Sequence, residues 1–337
     1  MTSQMDRAMG ALAGVALGDA LGMPAQTLQR PDIVSAYGRI SDFVAPYSGH
    51  PVSHGLTSAQ VTDDTEQTLL LAKLLIANPD GFDDHLWAQT LLEWEADVRA
   101  RGLLDLLGPS SKSALEALAA GTSVKETGKN GTTNGAAMRI APVGVMMPAD
   151  DTAGLVEKVV EACQVTHSSR EAIAAASAVA MTISQGLDGS SLEAALPKAL
   201  EACKLGSSKG HPVGEAHMDA RITDAIEAAA TGGEEALLKT AGNSVASRES
   251  VAAAFGIAWL AKDDPWQVAL LAANFGDDTD TIGAIACSMV GACTGLAAFP
   301  ADKINRVLEV NHLDLEPIAG SLLHIRNEKS DRRRTAP

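Results

Sequence analysis

The sequence predicts an all-α protein, folded as one compact single-domain bundle of many helices. Three observations carry this reading. The hydrophobic fraction of 46% is ordinary, yet aromatics make up only 3% of the chain, so the β-branched and aromatic faces that sandwiches and barrels require are scarce. Apolar residues recur at helical spacing in segment after segment, joined by polar Gly/Pro connections. No stretch alternates with period two for long enough to make a strand. At 337 residues the chain is long enough to bury a thick core.

The first element is the apolar run 8–21, which carries Gly10, Gly14, Gly18 and Gly22 at four-residue intervals. Each helical glycine costs about 0.5–1 kcal/mol relative to alanine, so four on one stripe indicate close packing against another backbone. The run is interrupted by Asp19 and falls short of the ~20 residues that span a bilayer. A signal peptide or membrane anchor is therefore not expected, and the cytoplasm is the expected location. Residues 23–60, with Pro24, Pro31, Pro46 and Pro51, read as a long connection. Helices are then predicted over 62–77, 84–101, 113–120, 152–165, 169–185, 192–204, 221–230, 248–260, 265–274, 281–298 and 301–310. The middle of 169–185 is apolar on most sides and reads as buried. Residues 121–135 and 205–217 are Gly-rich connections. The helix predicted at 281–298 carries a second small-residue stripe, Gly283, Cys287, Gly291 and Gly295, at the same spacing as the first. The domain is expected to span 1–328, with 329–337, including Arg332, Arg333 and Arg334, as a frayed polar tail.

Charge excludes one broad class of function. Lys and Arg number 26 against 42 Asp and Glu, a net charge of −16, whereas nucleic-acid binders depend on clustered cations and stacking aromatics. The four cysteines, Cys163, Cys203, Cys287 and Cys293, form no CxxC pair and sit in apolar stretches. They read as buried free thiols rather than disulfides or zinc ligands.

Two acidic clusters far apart in the chain carry the chemical signal: Thr62-Asp63-Asp64-Thr65 and Gly276-Asp277-Asp278-Thr279-Asp280-Thr281. Each opens an apolar helix, where a Thr or Asp cap suits the dipole. A cap needs one side chain, however, and several adjacent carboxylates repel one another. Dense carboxylates with neighbouring hydroxyls are the donor set of hard cations, Mg²⁺ or Mn²⁺ first and Ca²⁺ second. Two such clusters meeting at the starts of two packed helices can share a pair of ions. Asp19, in an apolar run, needs a partner if buried and is a candidate for site support or, as the family resemblance given below implies, ribose contact. Gly128–Gly135 is a Gly-rich turn offering backbone N–H groups to phosphate, although its spacing is not that of a Walker motif. Asn134 is its candidate sugar or phosphate contact, and Arg139 either pairs with phosphate or neutralises the acids. His167, after Thr166, is a core or capping residue or a ligand contact.

In these motifs the chain resembles the ADP-ribosylglycohydrolase family, which takes in dinitrogenase-reductase-activating glycohydrolases and J1 crystallins. The resemblance rests on Gly18-Asp19-Ala20-Leu21-Gly22, Thr62-Asp63-Asp64-Thr65, Asn134-Gly135-Ala136-Ala137-Met138-Arg139, Thr166-His167 and Gly276–Thr281, in that order. It implies an all-α fold and a two-metal centre, usually Mg²⁺ or Mn²⁺. Thr62, Asp63 and Asp64 would bind on one side and Asp278, Asp280 and Thr281 on the other. It also implies hydrolysis of a glycosidic bond at the anomeric carbon of an ADP-ribosyl or related ribosyl group. One departure is Gln26, which stands where many members carry Glu. An amide cannot act as a base, so either Asp63 or Asp64 takes the proton of water, or the substrate is not an ADP-ribosylated protein. Gln26 and the scarcity of aromatics favour a smaller, nucleoside-like ligand. The alternatives are two-metal phosphoester hydrolysis and a non-catalytic member stabilised by metal.

Overall fold

A computed structural model of the chain describes residues 2–103 and 107–335. Among these there are seventeen α-helices and no strand, only three isolated β-bridges. In chain order the helices are α1 (Gln4–Gly22), α2 (Arg30–Tyr37), α3 (Asp63–Ala77), α4 (Asp84–Ala100), α5 (Pro109–Ala119), α6 (Val124–Thr127), α7 (Gly135–Met138), α8 (Ala141–Met146) and α9 (Thr152–Cys163). They continue with α10 (Arg170–Leu187), α11 (Leu192–Lys209), α12 (Met218–Ala241), α13 (Ser247–Leu260), α14 (Pro265–Ala273), α15 (Thr279–Thr294), α16 (Ala301–Asn311) and α17 (Glu316–Thr335). One continuous apolar core joins α1, α3, α8, α9, α10, α13, α14 and α15. The four cysteines are buried and unpaired.

The glycine stripes find each other. A Cβ on Gly10, Gly14, Gly18 or Gly22 would fall against the backbone of Gly291, Cys287, Gly283 or Thr279 respectively. As one number rises the other falls, so α1 and α15 run antiparallel in a fixed register with their backbones in contact. The C-terminal end of α1, with Asp19, is thereby set beside the N-terminal end of α15, with Asp278 and Asp280. α15 stops at Gly295, whose φ of 91° lets the chain leave the helix. That ends it short of the predicted 298.

Several predicted boundaries shift, each for a local reason. The long connection at 23–60 contains α2, which starts with Pro31 in its first turn. Residues 121–135 contain α6 and the first residue of α7. α11 runs on to Lys209, into the predicted connection. α12 is two helical stretches meeting at Gly233, with φ of 68°, which is why a helical period is legible only in its first half. The expected frayed tail is instead the end of α17, which continues to Thr335. Arg332 and Lys329 pair with Asp80, and Arg333 pairs with Asp151 at 2.5 Å. These partners lie too far along the chain to be read from the tail itself. Residues 336 and 337 lie outside the described residues.

The seam gives the first test. Gly14→Leu and Gly291→Leu should each lower unfolding stability by at least about 3 kcal/mol, the upper range for overpacking, and chemical denaturation would measure it. Gly108→Ala, at a glycine with nothing near its Cβ position and φ of −63°, should leave the midpoint in place.

Candidate active site

The site begins with Asp19. The last turns of α1 present its carboxylate, fully buried, to the start of α3. It accepts from the backbone N–H groups of Thr62 (2.9 Å) and Thr65 (3.1 Å) and from the hydroxyls of Thr62 (2.8 Å) and Thr65 (2.5 Å). Asp19 thus caps α3 from another helix, satisfying N–H groups that α3 cannot satisfy itself. Burial pushes its pKa up to about 6 against the pull of those hydrogen bonds.

With α3 fixed to α1 and α15 packed on α1, the two acidic clusters meet. The Thr281 hydroxyl lies 3.4 Å from Asp64 Oδ2, as does the Thr62 hydroxyl. Asn134 donates its amide to Asp278 and, at 2.9 Å, to Ser250 Oγ. Asp280 accepts from the backbone N–H of Thr281. Burial pushes Asp278 up to about 7 and holds Asp63, Asp64 and Asp280 well above the usual carboxylate range, with repulsion from neighbouring aspartates adding to it.

A cavity of about 210 Å³ opens over these acids. Asp63, Asp278, Asp280, Thr281, Asn134 and Gln26 line it, together with Thr27, Val52, Ser111, Thr133, Met138 and Val245, and none of the lining residues is Lys or Arg. The other oxygen of Asp64, Oδ1, is buried without a partner. Buried carboxylates facing one another, one with an orphaned oxygen and no cationic side chain in the wall, are a donor set suited to hard divalent cations. Among the described residues no closed cage of three or more acidic, His or Cys side chains exists, so the fit rests on donor chemistry.

The predicted residues divide into three groups. Gln26, Asp63, Asn134, Asp278, Asp280 and Thr281 line the cavity. Asp19, Thr62 and Asp64 do not line it; the Asp19 carboxylate is taken up by Thr62 and Thr65. Arg139 and His167 do not line it. The Arg139 guanidinium is buried, donating to Gln67 Oε1 and Thr166 Oγ1 at 2.6 Å each and lying over the Trp87 ring. The position after α7 aims it into the core, and burial lowers its pKa to about 10. His167 meets the hydroxyls of Thr133 (3.0 Å) and Thr166 (2.7 Å). Its ring sits against Gly135, so it props the Asn134 turn. Burial holds it well below its ordinary pKa, with Arg139 adding to the effect.

Backbone pairing positions the remaining walls. Leu28 bridges Asp277, through Thr27 N–H to Asp277 O at 2.6 Å and Asp277 N–H to Leu28 O at 2.7 Å. Thr27 and Asp277 both adopt positive φ, 66° and 59°. A second bridge joins Thr133 to Ala246, and Asn134 N–H reaches Val245 O. Thr27 and Val245 carry no sequence signal of their own, since long-range pairings bring them to the cavity. A second groove of about 450 Å³, with Lys129, Asn130 and Gly131 in its wall, shares Pro109 and Thr133 with the first.

Fold and cavity together define an all-helical protein with buried carboxylates gathered around one cavity. The profile of the ADP-ribosylglycohydrolase family matches residues 1–332. The uncharacterized protein YegU of Escherichia coli (strain K12) is 35% identical, over 96% of this chain and 98% of its own. The ADP-ribosylarginine hydrolase Tri1 of Pseudomonas putida (strain GB-1) is 26% identical over 92% of this chain and 76% of its own. A solved structure of an ADP-ribosylglycohydrolase-related protein complex superposes with a TM-score of 0.71 at 26% identity, covering 97% of this chain and all of that one. The chain belongs to the ADP-ribosylglycohydrolase family and is a glycosidase-type hydrolase.

The raised carboxyls set a pH dependence. A group whose pKa rises on folding favours the folded protein fully below its ordinary value of 3.8, and that contribution disappears as pH climbs through about 6 for Asp19 and about 7 for Asp278. With divalent cations chelated, the thermal midpoint should fall between pH 5 and pH 8, and saturating Mg²⁺ or Mn²⁺ at pH 8 should raise it again. A midpoint flat over that range and indifferent to both cations would contradict this electrostatic account.

Proposed function

We propose that the protein is a divalent-metal-dependent glycohydrolase that cleaves the bond between the ribose anomeric carbon of an ADP-ribosyl group and its leaving group. The observation that carries the reading is the meeting of the two acidic clusters around one cavity without a cationic side chain. An oxocarbenium-like transition state gains from surrounding carboxylates. The second groove supports a substrate longer than a nucleoside: with ribose over the acids, a pyrophosphate and adenosine can follow Gly131 and Lys129. This differs from the smaller ligand favoured by composition, because the groove is assembled from residues that no composition reveals.

Thr62, Asp63 and Asp64 on one side and Asp278, Asp280 and Thr281 on the other would hold two ions, Mg²⁺ or Mn²⁺. When bound, such ions supply positive charge that orients vicinal ribose hydroxyls and lowers the pKa of water. Asp63, facing the cavity, is the group assigned to take the proton from the attacking water, with Asp64 beside it. Asn134 holds Asp278 in place by donating its amide to one carboxylate oxygen. Gln26, an amide, takes no proton. The bond from the anomeric carbon to the leaving group breaks with its electron pair going to the leaving group, and water supplies the new hydroxyl.

Incubating the protein with ADP-ribosylarginine, other ADP-ribosyl adducts, nucleosides and phosphodiesters, with and without chelator, tests this. The expected result is chelator-sensitive release of ADP-ribose. Asp278→Asn should remain folded by circular dichroism and lose at least about 10²-fold in turnover. Release of phosphate, or full turnover in the variant, would overturn the reading.

A further inference from the structure

Gln26 lines the cavity, but its amide is not free to present either end. We propose that Ser53 is a positioning residue that fixes the Gln26 amide with its oxygen toward the cavity, so that the pocket offers a ribosyl hydroxyl a neutral acceptor. The inference rests on the reading of this cavity as the substrate site.

Ser53 is fully buried. Its Oγ lies 2.8 Å from the Met23 carbonyl oxygen and 2.9 Å from Gln26 Nε2. A carbonyl oxygen only accepts, so the single hydroxyl proton of Ser53 goes to Met23. The lone pairs left on Oγ can only accept in turn, and the end of Gln26 that faces Ser53 is therefore the NH₂ group. Oε1 points away from Ser53 and has no partner among the described residues. Ser53 is itself held: its backbone N–H donates to His50 Nδ1 at 2.8 Å, and Val52 N–H donates to the same atom at 3.2 Å. His50 is buried, which disfavours its charged form and keeps Nδ1 an acceptor. The main chain of Gln26 is pinned beside Asp277 by the Thr27 and Leu28 hydrogen bonds. Backbone and side chain are thus both fixed.

The arrangement also suits an amide better than a carboxylate at this position. A glutamate would leave Ser53 with two acceptors and one proton, and would add a further charge to the raised aspartates of the wall. Gln26 keeps an oxygen at the same place without that repulsion. In Ser53→Ala the lock is gone, and the amide can rotate to present its NH₂ group to the substrate hydroxyl.

ADP-ribose is the probe, with binding followed by calorimetry and turnover of ADP-ribosylarginine followed in parallel, on the full chain with Mg²⁺ present. Ser53→Ala is expected to weaken binding and raise KM by about fivefold, the worth of one neutral hydrogen bond, with kcat less affected. Gln26→Ala should do the same. In the double variant Ser53→Ala/Gln26→Ala the two effects should merge rather than multiply, because Ser53 acts through Gln26. Ser53→Thr, which keeps the hydroxyl, should recover most of the affinity. If Ser53→Ala costs as much in the Gln26→Ala variant as it does with Gln26 intact, the proposal is overturned, as it is by unchanged affinity in the single variant. Failure of the unsubstituted protein to bind ADP-ribose would instead count against the substrate reading.

Discussion

Everything at the site depends on two backbones touching. Between α1 and α15 each side contributes residues small enough that main chain meets main chain, at intervals of four residues over four successive positions. The glycines weaken both helices intrinsically, and the compensation is close dispersion contact along the whole seam together with a register that cannot slip without driving a side chain into a carbonyl. Antiparallel direction and fixed register deliver Asp19 and the Asp278–Thr281 cluster to one end of the seam. Asp19 then reaches out to cap α3, and Asp63 and Asp64 follow because they occupy its first turn. Two clusters far apart in sequence are joined by one packing contact and one carboxylate.

The same assembly concentrates charge where charge is unfavourable. Asp19, Asp63, Asp64, Asp278 and Asp280 all carry raised pKa values with burial as the leading cause. The nearest candidate for neutralisation, Arg139, is turned into the core, where Gln67, Thr166 and the Trp87 face occupy it. A protein that assembles carboxylates and withholds side-chain cations is destabilised until a cation or a developing positive charge arrives, and whatever binds there also stabilises the fold. The neutral residue at position 26 fits this balance of charge, since it keeps an oxygen at the rim without another negative group.

What is legible in the sequence follows from distance along the chain. The seam is readable because a four-residue period of small residues is a local pattern with one physical meaning. The acidic clusters are readable because their density exceeds what capping requires. For Arg139 and His167 the sequence leaves a ligand contact and a supporting role both open, because motif adjacency reports where a residue sits on the chain and not which way the chain turns. After α7, the turn carries Arg139 inward, and His167 lies against Gly135 rather than in the cavity wall. Thr27 and Val245 reach the wall through pairings with partners more than a hundred residues away, and nothing local announces them. α17 escapes a local reading for a related reason, since Asp80 and Asp151 hold its basic end.

The helix caps settle whether the acidic clusters are merely caps. Seven N-cap residues with short polar side chains do cap their own helices: Ser3, Asp83, Ser123, Asp151, Ser169, Ser191 and Asp264 each accept from a backbone N–H in the first turn. Three others of the same chemistry do not: Thr62 before α3, Asn134 before α7 and Asp278 before α15. All three belong to the site. Thr62 gives its hydroxyl proton to Asp19, while Asn134 and Asp278 bond to each other across the cavity wall. α3 recovers its cap from Asp19, whereas α7 and α15 go without an N-cap side chain, each at a cost of about 1 kcal/mol. Of these side chains Asn134 and Asp278 turn to each other in the cavity wall and Thr62 turns to Asp19, an arrangement that helix capping alone does not call for.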